Sequence, residues 1–75
     1  MTGATIRSAQ RAIDKARIPV ELVRGEGYHY FNYSNRARGH YETVSLYVCY
    51  TNTYSPAQWA DIAKGAWEDM KAKLA

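Results

Sequence analysis

The side chains able to do acid–base, nucleophilic or metal chemistry are two histidines, His29 and His40, one cysteine, Cys49, and a scatter of acids. Neither histidine has a cysteine or carboxylate at metal-ligand spacing, and His29, inside a β-prone run, reads as a packed or hydrogen-bonded ring. Glu21, Glu26, Glu42, Asp61, Glu68 and Asp69 form no recognisable acid–base pair, and Gly25-Glu26-Gly27 lacks the surroundings of a phosphate loop. One thiol excludes an internal disulfide and a multi-cysteine zinc site; in an alternating run Cys49 is expected to be a small buried hydrophobe, which fits a reducing compartment. No catalytic residue, metal ligand or cofactor site is expected, and the chain reads as non-enzymatic.

Recognition chemistry is better supplied. Seven tyrosines stand in the 27 residues from Tyr28 to Tyr54 of this 75-residue chain. A tyrosine wants its ring buried and its hydroxyl satisfied, so a surplus on a small domain points to an interface. Arg24, Arg36 and Arg38 fall in the connections around them and are expected to flank an aromatic surface. Arginine beside exposed aromatics serves single-stranded nucleic acid, where bases stack and phosphates pair, and equally serves protein hot spots. A second basic feature, Arg7, Arg11 and Lys15 at i, i+4 and i+8, is a stripe along one helix face, and a solvated face explains it as simply.

The elements that must position these residues follow from periodicity. Ile6, Ala9, Ile13 and Ala16 recur at helical spacing between Thr5 and Ile18, and Pro19 ends that helix. Val20–Arg24 reads as a short strand, and Arg24-Gly25-Glu26-Gly27 as a turn whose glycines supply positive φ. Tyr28–Tyr33 is the second strand, and 34–39 a polar connection that projects its two arginines. From about His40 to Thr51, Val44, Leu46, Val48 and Tyr50 alternate with Thr43, Ser45, Tyr47 and Cys49, which predicts the longest strand with one apolar face.

The clearest local signal is Tyr54-Ser55-Pro56-Ala57-Gln58-Trp59. Ser55 is the N-cap, Pro56 takes the first helical position, Gln58 completes a capping box, and Tyr54 and Trp59 form a hydrophobic staple. The helix should run to about residue 73 with Trp59, Ile62, Ala63, Ala66, Met70 and Leu74 inward, Trp67 beside them and Gly65 as its weak point.

The order is thus helix, three strands, helix. Short connections predict an α+β fold, α-β-β-β-α, with a three-stranded antiparallel meander and both helices on one face, as a single domain over residues 1–75. If Phe31 is the core residue of the second strand, parity sends Tyr28 and Tyr30 outward beside Tyr41 and Tyr47, while Tyr50 joins the core and Tyr33 stays unassigned. Long aromatics filling a thin core, or a homodimer covering this face, are competing explanations of the same tyrosines.

The charge is +3 overall but uneven, with seven basic and three acidic residues in 1–40 against three and four in 41–75. No apolar run reaches the roughly 18–20 residues of a membrane span, and the first 20 residues lack a signal-peptide stretch, so the chain reads as soluble and cytoplasmic with no membrane partner.

The segment Val20-Glu21-Leu22-Val23-Arg24-Gly25-Glu26-Gly27-Tyr28-His29-Tyr30-Phe31, followed by an alternating strand and Tyr54-Ser55-Pro56-Ala57-Gln58-Trp59, resembles a group of short phage and prophage proteins. The resemblance covers roughly residues 18–70, and its motifs are structural. It implies a mobile-element origin and a host bacterial cytoplasm. Proteins of that kind often bind and block a host protein or ribonucleoprotein, anti-CRISPR proteins among them. It carries no functional residue across, because the group offers no assigned site to match.

Overall fold

The computed structural model describes residues 3–74, in the order α1 (Ile6–Lys15), β1 (Glu21–Arg24), β2 (His29–Asn35), β3 (His40–Leu46), a 3-10 turn (Thr51–Thr53) and α2 (Pro56–Leu74). The strands form one antiparallel sheet in the order β1-β2-β3, as the short connections require. No helix among the described residues is long and apolar enough to cross a membrane.

Both helices lie on the sheet face that carries Leu22, Phe31 and Val44, which stand opposite one another in the ladder. Ala9 and Ile13 from α1, Val20, Leu22 and Phe31 from the sheet side, and Trp59, Ala63, Ala66 and Met70 from α2 make one buried cluster. The Trp59 ring is its centre, edge-on to Phe31 at 6.1 Å and to Tyr54 at 5.3 Å between centroids. Tyr54 and Trp59 are therefore the expected staple. Ser55 and Gln58 close the capping box: the Gln58 N–H donates to the Ser55 hydroxyl at 3.2 Å and the Ser55 N–H to Gln58 Oε1 at 2.9 Å. The α1 N-terminus carries a second such box, between Thr5 and Ser8, which the helical periodicity did not reveal.

Two element endings and one turn differ from the sequence reading. Helix α1 stops at Lys15, ahead of Pro19. Arg17 adopts φ 60° and the Ile18 N–H reaches back to the Ile13 carbonyl at 3.2 Å, a left-handed helix cap that buries Ile18 against the core. In the first hairpin turn only Gly27 has a positive φ, at 76°. Gly25 is there for space: a Cβ at that position would lie 2.7 Å from the Tyr28 ring.

Strand β3 also ends early, at Leu46. Beyond it the chain turns inward, because His29 holds it. This ring is fully buried, its Nδ1 2.7 Å from the Val48 carbonyl and its Nε2 2.8 Å from the Thr51 hydroxyl. A carbonyl can only accept, so Nδ1 carries the proton. Trp59 Nε1 donates to the Thr51 carbonyl at 2.8 Å, fastening the same turn to α2. Tyr50, expected in the core, is consequently 65% exposed, and Cys49, expected buried within a strand, is exposed in the connection.

The candidate interaction face

With Leu22, Phe31 and Val44 facing the helices, alternation sends Glu21 and Val23, Tyr30, Asn32 and Ser34, and Tyr41, Thr43 and Ser45 to the opposite face. No element of the described chain covers it. Phe31 thus decides the parity of β2 as its size demands, and Tyr30 points away from the core. Tyr33, on the other parity, packs against Trp67 with ring centroids 4.8 Å apart and planes tilted by 52°, and belongs to the helix side.

The four proposed surface tyrosines are arranged unequally. Tyr28 and Tyr30 are half-buried and lie together, ring centroids 5.9 Å apart, with the Tyr28 ring seated over Gly25. Tyr47 follows the last residue of β3 at the same end of the sheet, because His29 pairs with Leu46, and it is 87% exposed. Tyr41 is 63% exposed and stands opposite Ser34, toward the other end. Between these ends Asn32 Oδ1 accepts from the Thr43 hydroxyl at 2.9 Å and, more weakly, from the Tyr41 hydroxyl at 3.4 Å. That network fixes the side chains at the middle of the face.

The arginines do not gather around these rings. Arg24 shares the parity of Leu22 and lines a cleft with Ala4, Thr5, Ile6, Tyr50 and Thr51, on the helix side of the sheet. It does not flank the tyrosines, contrary to the expectation from its place in the connection. Arg36 and Arg38 are exposed in the turn of residues 36–39, at the end of β2 remote from Tyr28. Seven strand residues at about 3.3 Å each put roughly 20 Å between those ends. Only Tyr41 stands at the arginine end.

The stripe on α1 is a separate surface. Arg7, Arg11 and Lys15 are exposed, but Arg7 and Arg11 line a groove against the β1 edge together with Asp14 and Glu21, so the charge there is mixed. Within this groove Gln10 does what no periodicity predicts. Its Oε1 accepts the Leu22 N–H at 2.7 Å, and its Nε2 donates to the Val20 carbonyl at 3.1 Å and to Asp14 Oδ1 at 2.9 Å. One side-chain amide thus takes the place of a neighbouring strand along β1. Among the described residues no group of three or more His, Cys, Asp or Glu side chains is placed to hold a metal ion. Neither protein-family models nor the curated proteins or solved structures searched gave a match to this chain.

Proposed function

We propose that this chain is a non-enzymatic binding protein that docks a partner protein on its open sheet face, with Tyr30 and Tyr47 as anchors and Tyr28 and Tyr41 alongside. The observation that carries it is the charge of that face. Its outward strand residues are Tyr, Val, Asn, Ser and Thr with one acid, Glu21; Arg24 lies on the helix side, and Arg36 and Arg38 sit in the turn beyond the Tyr41 end. Single-stranded nucleic acid needs cations that track its phosphates past the stacked bases. A tyrosine-rich face whose strands carry no cation, with a fixed amide and hydroxyls at its middle, suits the apolar and hydrogen-bonding surface of a protein instead.

Blocking a host protein or the protein part of a ribonucleoprotein, a CRISPR effector among them, is the use that the resemblance over residues 18–70 gives such a face. Capture from bacterial lysate with and without nuclease tests the partner class. A protein retained after nuclease treatment, and lost with the Tyr30→Ala/Tyr47→Ala variant, is the expected result. Loss of every partner on nuclease treatment would transfer the face to nucleic acid and overturn the proposal.

A further inference from the structure

The two edges of the sheet are treated differently. In an antiparallel ladder the N–H and C=O of one residue point to the same side, alternating along the strand. Gln10 bonds the Leu22 N–H, so Leu22 points away from β2. Phe31, opposite Leu22, therefore turns its own N–H and C=O toward β3 and bonds Val44. It follows that on β3 the backbone groups of Tyr41, Thr43 and Ser45 point outward, away from the sheet. No hydrogen-bond acceptor among the described residues takes these amides, and all three residues are exposed.

This edge is seven residues long and free of proline, lysine and bulges, and its one charge, Glu42, points to the helix side, where Lys73 of α2 meets it at 3.9 Å. The helix layer also leaves it partly bare. Leu22 and Phe31 are buried, whereas Val44 and Leu46, on the same face, are only half-buried.

We infer that β3 is a homodimerisation edge, which pairs antiparallel with β3 of a second copy about a two-fold axis at Thr43. In that register all seven residues overlap, and Thr43 faces its own copy while Tyr41 faces Ser45, each facing pair exchanging two backbone hydrogen bonds. Glu42 falls opposite Val44 of the second copy. Moving the axis to Glu42 would set the two carboxylates directly opposite each other, so charge selects between these registers. On the open face Tyr41 comes diagonal to Tyr47 of the second copy, within reach of an aromatic ring, so the two exposed tyrosines meet at their edges across the seam and keep their outer faces on the open surface. On the helix side Val44 and Leu46 gain cover from the copy. The result is one six-stranded sheet with a continuous open face that carries Tyr30 and Tyr47 of both copies.

Light scattering from micromolar to millimolar concentration, combined with amide hydrogen exchange, tests this. The expected result is a mass that doubles from 8.5 kDa, with the Tyr41, Thr43 and Ser45 amides becoming protected over the same range. Thr43→Lys places like charges on the axis, and Ser45→Lys sets a lysine against Tyr41; both should stay at 8.5 kDa with an unchanged circular dichroism spectrum. A monomer at every concentration would overturn the inference. So would a dimer in which those three amides exchange freely or that survives both substitutions.

Discussion

Gln10 and Leu22 are joined across 12 residues of chain by a 2.7 Å hydrogen bond from the Leu22 N–H to the Gln10 side-chain carbonyl. The same amide donates to Val20, so a helix side chain satisfies an edge strand that has no strand neighbour on that side. Gln10→Ala orphans both part-buried backbone groups and is expected to lower stability by about 1–3 kcal/mol in urea denaturation. Gln10→Glu retains the acceptor for Leu22 but loses the donor to Val20 and sets a carboxylate beside Asp14. It should be no more stable than the alanine variant.

His29 ties the sheet to the segment that enters α2. His29→Leu keeps the site apolar and of similar volume but leaves the Val48 carbonyl and the Thr51 hydroxyl without their ring partner. A loss of about 2–4 kcal/mol is expected, with Tyr47–Thr53 losing amide protection before the rest of the sheet. Uniform loss of protection would show that the ring does not govern this segment separately.

Arg17 is the one non-glycine residue with a positive φ among the described residues. Its side chain is exposed, so Arg17→Gly removes strain and little contact. An increase of about 0.5–1 kcal/mol in unfolding free energy is expected. A decrease would mean that the arginine stem contributes packing that outweighs its backbone conformation.

Gly65 lies in the middle of α2, exposed, and a Cβ there would meet nothing within 4 Å. Gly65→Ala should raise stability by about 0.5–1 kcal/mol, read as a higher thermal midpoint. The weak point seen in the sequence is thus open to repair without repacking.

What the sequence made legible was what rests on local pattern. Ser55, Pro56, Gln58, Tyr54 and Trp59 mark the start of α2 within six residues, and each mark has its own physical cause. The face of β2 was also readable, because Phe31 has no polar tip and must go inward. Gln10 was not readable: its partners are fixed by where α1 lies against β1, which no periodicity encodes. The end of β3 was masked because alternation continues through Val48 and Tyr50, while the cause of the departure, His29, lies about 20 residues earlier. The placement of Arg24 is encoded in the local pattern. It stands two residues after Leu22, so the parity that buries Leu22 sends Arg24 to the helix side.

Docking on the open face is tested most directly by capture of a nuclease-resistant protein partner with two folded variants. Tyr30→Ala/Tyr47→Ala alters the face, while Arg7→Glu/Arg11→Glu alters the α1 groove. Each anchor tyrosine is expected to contribute about 2 kcal/mol, roughly thirtyfold in affinity, so the tyrosine variant should lose the partner and the arginine variant keep it. Retention by the tyrosine variant and loss by the arginine variant would contradict docking on the open face.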